Sequence, residues 1–370
     1  MLIFGLYGIV IFYYGKLKKD KEQETTEFGE KVIFEPHVSI VVPTHNEEII
    51  ISKKIENLLN LNYPKEKLEF IFVDDSSDST PDIIRGYSKR FPNIHLIRFH
   101  ERMGYSPSMI AGCKASKSEI VVLNDAGSFL DAEALSALIH HFQNPKIGLV
   151  TGRCVILNLN EEVGRSENLY QKIFNFLRVA ETRMDSTFFI KGEAAAVRKD
   201  LIKDLEECSE TFDTTVGLYV RKKGYKAIYN PNVKFYEYAP STRSGRIKQK
   251  TIRGANLVKV LFKFRHIMLK RKYGRYGCLI LPMNFAMLTI VPLTIFAAFV
   301  FLVMLTFLDF VFSLIFWIVL GFVFLSLLIF ARHLVFTFLE FEYSLLKAIY
   351  QMVFTKRTHD KIEKVNSTRR

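Results

Sequence analysis

The stretch VSIVVPTHNEE, from Val38 to Glu48, joins an apolar, β-branched run to a polar and acidic turn. A run with no polar alternation is the pattern of a strand buried on both faces, as in a parallel sheet. The same join recurs at LEFIFVDD (68–75) and at EIVVLND (119–125), and IHLIRF (94–99) reads as another short strand. Segments of helical spacing lie between them. One runs from Glu47 to Leu61, one from Thr80 to Arg90 with Thr80 as N-cap and Pro81 at the first position, and one ends at Ala115. Strand and helix in alternation predict an α/β fold, a doubly wound and mostly parallel sheet. Such sheets bind ligands beyond the C-terminal ends of their strands. The turns at Asp74–Asp75 and at Asp125 fall at such ends.

The chain has 370 residues, 49% of them hydrophobic, and a net charge of +13. The apolar residues are concentrated. Residues 2–15, LIFGLYGIVIFYYG, are followed by Lys16, Lys18 and Lys19, and 279–330 holds almost no charge apart from Asp309. A cleaved signal peptide carries its charges before the apolar run, whereas here they follow it, so an uncleaved anchor is expected. The organisation expected is an anchor over 1–15, a charged linker over 16–35, the α/β domain over 36–254, an interfacial helix over 255–275, membrane helices over 276–354 and a basic tail over 355–370. Within 276–354 two spans, 281–307 and 310–331, turn near Asp309, and 334–354 is an amphipathic helix or a third span. Lys and Arg cluster beside these segments, at 259–275 and 356–370, which predicts a multi-pass cell-membrane protein with its main domain in the cytoplasm. No zinc finger or compact basic recognition helix occurs, so nucleic acid is not an expected partner. Cys113, Cys154, Cys208 and Cys278 lack metal spacing and suggest no disulfide framework.

VVPTHNEE contains neither G-x-G-x-x-G nor G-K-[ST], which argues against a dinucleotide oxidoreductase or a P-loop enzyme. Polar and acidic residues follow the strands instead. Carboxylates there accept hydrogen bonds from a base and a ribose, or hold a divalent ion on a diphosphate.

VSIVVPTHNEE, FIFVDDSSDST (70–80), EIVVLNDA (119–126) and TFDTTVGLYVRKKGYKAIYNPNVKFYE (211–237) together resemble the family 2 inverting glycosyltransferases, in their order and spacing. The resemblance covers about residues 36–260 and includes membrane-attached members. It implies the GT-A fold and a nucleoside-diphosphate sugar as donor. Pro43, Thr44, His45 and Glu47 then stand in the nucleotide-binding turn, Asp75 binds the base and Asp74 shapes the turn. Asp125 corresponds to the first aspartate of a D-x-D metal motif for Mg2+ or Mn2+, and Asp213 to the catalytic base. Gly192, Arg198, Gln249 and Arg253 correspond to positions near the acceptor or the diphosphate.

The sequence also departs from the family pattern. Gly127 replaces the second metal aspartate, leaving Asp125 with Ser128 or Asp131 as helpers. Tyr105 stands where relatives carry lysine, and Ile110 where they carry asparagine. QKTIR (249–253) is an incomplete Q-x-x-R-W motif, which favours addition of one sugar over polymerisation. The expected activity is therefore transfer of a sugar to a lipid-linked or cell-surface saccharide acceptor. A polyprenyl-phosphate sugar synthase and a processive polysaccharide synthase are the alternatives within the class. A catalytically silent nucleotide-sugar-binding membrane protein is the alternative outside it.

Overall fold

The structure is a computed structural model that describes Tyr7 and residues 34–205, 211–307 and 310–354. The expected anchor apart from Tyr7, the linker up to residue 33 and the basic tail lie outside the described residues.

Four parallel strands form one half of the sheet: β1 (Val38–Thr44), β2 (Leu68–Asp74), β3 (Ile94–Arg98) and β4 (Ile120–Leu123). Their continuous apolar character follows from burial on both faces. Val38, Ile40 and Val42 pack with Ile51, Ile55 and Leu58 of α1 (Ile51–Leu59), which lies on one side. Val41, Ile71 and Val73 pack with Met109 and Cys113 of α3 (Tyr105–Ala115) on the other. α2 (Thr80–Ser88) begins as expected, except that Ser79 rather than Thr80 holds the N-cap position. α1 starts at Ile51, later than expected, because the chain first turns at Asn46, which has a φ of 53°.

The other half of the sheet is mixed, and the full order is β3-β2-β1-β4-β7-β6-β8-β5. β7 (Ala195–Arg198) runs antiparallel to both β4 and β6 (Ile147–Ile156), while β6 pairs in parallel with β8 (Lys226–Glu237). β5 (Phe129–Leu130) closes the edge, and α4 (Ala134–Ile139) follows it. The reversal of β7 has a consequence for the site. Leu123 at the end of β4 faces Ala195 at the start of β7, so the turn before β7 joins the C-terminal edge of the parallel strands.

A second apolar core joins α5 (Glu162–Met184), α7 (Arg243–Lys263) and α8 (Tyr276–Leu305) through Phe174, Leu177, Val258, Leu261, Ile280 and Leu288, and Tyr7 is buried in it. Among the described residues α8 is the one helix long and apolar enough to cross a membrane. Its outer part is bare, with Phe301 62% exposed. π turns at Tyr276–Ile280 and Ala286–Ile290 precede Pro282 and Pro292, whose rings lack the amide proton that a regular α-turn needs.

The helix expected over 255–275 differs from what the chain forms. α7 starts at Arg243, where the Thr242 side chain caps the Gly245 amide at 3.2 Å, and it ends at Lys263. Short 3-10 turns follow, with positive φ at Leu269 and Gly274 breaking the helical path. The segments expected as separate, 310–331 and 334–354, form a single helix, α9 (Phe310–Phe354). No Gly or Pro interrupts 322–354. The acidic face of its second half is engaged on α7, where Glu340 meets Arg243 and Arg246.

Candidate active site

Asp74 and Asp75 close β2 and divide two tasks. Asp74 is fully buried and accepts from Thr44 Oγ1 at 2.8 Å, from Ser76 Oγ at 2.5 Å and from Arg98, so it shapes the turn. Asp75 is also buried and bonds across the strand ends. Its Oδ1 meets His45 Nδ1 at 2.8 Å, and its Oδ2 accepts the amides of Met103 at 2.8 Å and Gly104 at 3.1 Å. Arg102 Nη1 lies 2.7 Å from His45 Nε2. A guanidinium only donates, so Nε2 accepts, and the ring proton sits on Nδ1 and points at Asp75. A carboxylate offers about four lone-pair sites, so Asp75 retains room for one more donor such as a base N–H. Glu47 is buried behind the turn, its amide donating to Thr80 Oγ1 at 2.8 Å, and Pro43 lies opposite Val73 in the β1–β2 register.

The turn after β4 is held from beneath by a residue whose role the sequence did not disclose. Lys54 of α1 is fully buried and donates to the Asn124 side chain and to the Ser128 carbonyl, the latter at 2.6 Å. Burial lowers its ammonium pKa to about 7, and Asp125 opposes that shift. A signal existed: Lys54 sits at the i+3 place of the apolar stripe Ile51, Ile55, Leu58. Asn124 in turn donates to the main-chain oxygen of Glu193, tying this turn to the one before β7.

Asp125 and Asp213 come together here. Asp125 Oδ1 accepts the Tyr105 hydroxyl at 2.8 Å. Asp213 is the second residue of α6 (Phe212–Lys222); its Oδ1 accepts the Thr214 amide at 2.8 Å and its Oδ2 the Gly192 amide at 3.2 Å. A Cβ on Gly192 would stand 3.0 Å from Asp213 Cβ and 3.1 Å from the Tyr105 hydroxyl oxygen, so these groups are in contact and only glycine fits without displacement. Arg253 of α7 reaches the same cluster, with Nη2 3.4 Å from Glu193 Oε1. Burial, then the neighbouring Glu193 charge, pushes Asp125 up to about 7 and Asp213 up to about 6. Arg253 pulls both downward.

Other expected site residues stand elsewhere or are engaged. Arg198 ends β7 opposite Ile120, at the far end of the sheet, and donates to the Ile147 and Phe142 carbonyls at 2.9 and 2.8 Å. The antiparallel course of β7 puts it there. Gln249 lies one turn before Arg253 on α7. Ser128 bonds the Asp125 carbonyl at 3.1 Å, and Asp131 accepts the Tyr236 hydroxyl at 2.8 Å, so neither is a free helper to Asp125.

For a divalent ion the donor set is small. Among the described residues no group of three or more His, Cys, Asp or Glu side chains is arranged to hold a metal. Asp125, which follows β4 and bonds Tyr105 through Oδ1, is the carboxylate that would serve as protein ligand. Mg2+ keeps water and phosphate ligands and needs only one or two carboxylates, so the site fits an ion brought in with a diphosphate, held weakly by Asp125.

A family model for Glycosyl transferase family 2 matches residues 39–206. The chain is similar to the probable glycosyltransferase YdaM of Bacillus subtilis, 28% identical over 249 residues, 64% of this chain and 59% of that protein. It is 24% identical over 255 residues to a poly-β-1,6-N-acetyl-D-glucosamine synthase of Staphylococcus epidermidis, 68% of this chain and 61% of that protein. With a β-monoglucosyldiacylglycerol synthase of Trichormus variabilis it shares 26% over 207 residues, 54% of this chain and 44% of that protein. The chain thus spans less than two thirds of the length of these curated relatives. In fold it is similar to the mannosyltransferase PcManGT from Pyrobaculum calidifontis, solved with GDP-Man and Mn2+, with a TM-score of 0.74 and 22% identity over 96% of this chain and 99% of that one. Set beside the strand-end carboxylates, the family match identifies residues 39–206 as a Glycosyl transferase family 2 domain, and the structural likeness gives the chain the GT-A fold.

Proposed function

We propose that the protein is a membrane-bound inverting glycosyltransferase that moves one sugar from a nucleoside-diphosphate sugar to a lipid-linked or cell-surface glycan acceptor. The observation that carries this is the contact of Tyr105, Gly192 and Asp213 beside Asp125 at the strand ends. The Asp75–His45 pair receives the base, which leaves the diphosphate near Asp125 and the anomeric carbon towards Asp213. Asp213 takes the proton of an acceptor hydroxyl while that oxygen attacks the anomeric carbon. The carbon–oxygen bond to the diphosphate breaks on the opposite face, the diphosphate leaves with the electron pair, and the anomeric configuration inverts. With its pKa near 6, Asp213 is mostly ionised at neutral pH and still basic enough to share a proton in the transition state. Arg253 supplies fixed positive charge beside the carboxylates. A divalent ion bound with the donor, with Asp125 as its protein ligand, would offset charge on the leaving diphosphate.

The domain boundaries, the anchor and a multi-pass arrangement with the site on the cytoplasmic side belong to the same proposal. The bare apolar surface of α8 and the basic residues of 259–275 support attachment at a cytoplasmic membrane face. Relatives named for glycolipid and polysaccharide synthesis fit an acceptor at that surface. The degraded QKTIR segment favours single transfer over polymerisation.

The test is a donor screen with purified protein in detergent plus extracted membrane lipid, reading released nucleoside diphosphate and glycosylated lipid. Asp213→Asn is expected to lose ~10²–10⁴-fold in turnover. Full turnover in that variant removes Asp213 from the base role, and donor binding without turnover in the wild type favours a silent nucleotide-sugar binder.

A further inference from the structure

Glu193 is a buried acidic residue of this cluster. The residue is 5% exposed, and among the described residues its Oε2 is buried without a hydrogen-bond partner. Its Oε1 faces Arg253 Nη2 at 3.4 Å and Lys191 Nζ at 3.8 Å, both longer than a close charge-assisted hydrogen bond of about 2.7–2.9 Å. The main chain is held in place, since the Glu193 carbonyl accepts from Asn124 and from Ser128 Oγ, the latter at 3.3 Å. The side chain therefore starts from a fixed main chain, and its carboxylate, beside Lys191 and Arg253 and bonded by its own amide, is incompletely bonded.

An unmet buried anion is costly, and folded proteins retain few of them. What would complete it must donate a hydrogen bond and must not be an anion, because Asp125, Asp213 and Glu193 already concentrate negative charge there. A phosphate is excluded by that argument, whereas a neutral hydroxyl fits. We propose that Glu193 is the sugar-reading residue of this site: its Oε2 accepts a hydrogen bond from a ring hydroxyl of the saccharide lying between Asp125 and Asp213. Lys191 and Arg253 balance the charge and keep the carboxylate in place. The proposal rests on glycosyl transfer as the activity. The hydroxyl belongs either to the donor sugar or to the acceptor, and the two are separable.

Full-length protein in detergent is titrated calorimetrically with GDP against GDP-mannose and with UDP against UDP-N-acetylglucosamine. For the pair that binds, the affinity gained from the sugar is expected to fall about tenfold or more in Glu193→Gln, with affinity for the bare nucleotide unchanged. Glu193→Asp keeps the charge for Lys191 and Arg253 but withdraws the oxygens by one methylene, and it is expected to fold and lose the same increment. Monodeoxy donors locate the hydroxyl: one of them costs the wild type that increment and leaves Glu193→Gln indifferent. If the hydroxyl is the acceptor's, the affinity gained from the donor sugar is retained, and both variants raise KM for transfer to extracted membrane lipid. An equal loss for bare nucleotide and nucleotide sugar marks a merely structural ion pair and overturns the proposal. Variants that match the wild type in every assay overturn it as well. A wild type that neither binds nor turns over any nucleotide sugar refutes the activity itself, a different result from an active wild type indifferent to Glu193.

Discussion

The Tyr105 hydroxyl donates to Asp125 Oδ1 at 2.8 Å and lies against Gly192, whose amide holds Asp213. One side chain from the start of α3 thus connects the end of β4 with the turn before β7. It also links these to the Asp75 side of the cleft, because the amides of Met103 and Gly104, just before it, bond Asp75. Tyr105→Phe keeps the ring and removes the donor. Turnover is expected to fall about tenfold, the scale of one lost charged hydrogen bond, while affinity for the bare nucleoside diphosphate changes little. Steady-state kinetics beside nucleotide titration check this, and a variant with unaltered kcat shows that the hydroxyl does not position Asp125.

Gly192→Ala tests the same contact from the other side. Its methyl would stand 3.0 Å from Asp213 Cβ and 3.1 Å from the Tyr105 oxygen, so the base or the phenol must yield by a few tenths of an ångström. Small misplacements of a reacting group are expensive, up to ~10²-fold for about 1 Å. A loss of about tenfold in kcat is expected, with thermal stability close to wild type. Retention of full kcat means that the contact is slack.

The pH profile follows from Asp213. Burial and Glu193 raise its pKa to about 6, and the base works only when ionised. Activity is therefore expected to hold above that value and to fall as pH drops through it. Arg253 lowers the Asp213 pKa and Glu193 raises it. Arg253→Gln should move the acid limb to higher pH and Glu193→Gln to lower pH, which kcat against pH will show. Stability has the opposite sign. A carboxyl whose pKa is raised by folding favours the folded state at low pH, and that contribution is lost as pH rises towards 6. Asp213→Asn removes the buried charge, so at neutral pH it should unfold no earlier than wild type while transferring almost nothing.

With one carboxylate where two are usual in the resembled motif, metal dependence is expected to be shallow. Activity should rise with added Mn2+ or Mg2+ without a tight saturating phase, fall with chelator, and lose its response in Asp125→Asn. Activity untouched by chelator shows that Asp125 does not serve a metal.

The strand ends that carry Asp75 and Asp125 were legible because parallel strands buried on both faces write their character as unbroken apolar runs, and each run stops at its acidic turn. β7 followed a different rule. It runs antiparallel, so the end that reaches the site is its beginning, just after Gly192 and Glu193, while Arg198 at its other end is carried away. A rule that seeks ligands after strands looks on the wrong side of such a segment. Lys54 was hidden differently, as a charged residue in a helix stripe whose partner, Asn124, lies seventy positions further along the chain. The continuity of α9 is not legible in the sequence because its apolar first half and charged second half look like two elements. Its second half joins the fold through apolar packing of Phe341 and Leu345 and through an ion cluster drawn from distant residues.

That cluster gives the last prediction. Arg246 of α7 is 1% exposed and bonds Glu167 of α5 at 2.9 Å and Glu340 of α9, while Lys250 meets Glu167 at 3.0 Å and lies over the Tyr170 ring. Against the pull of burial, Lys250 and Arg246 hold the Glu167 carboxyl down at about 2. Removing one partner of a buried pair leaves the other charge unmatched and costs about 3–5 kcal/mol, so Arg246→Ala should lower the unfolding temperature in detergent substantially. Glu340→Gln removes only one charge of the cluster and keeps an acceptor for Arg246, so its loss should be smaller. The sign of the pH dependence follows from the depressed pKa. The contribution of Glu167 is present above its unfolded value near 4.5 and is lost as pH falls towards 2. Wild type should therefore lose stability over that interval more steeply than Glu167→Gln. Parallel curves for the two proteins show that the cluster does not hold α9 to the catalytic domain.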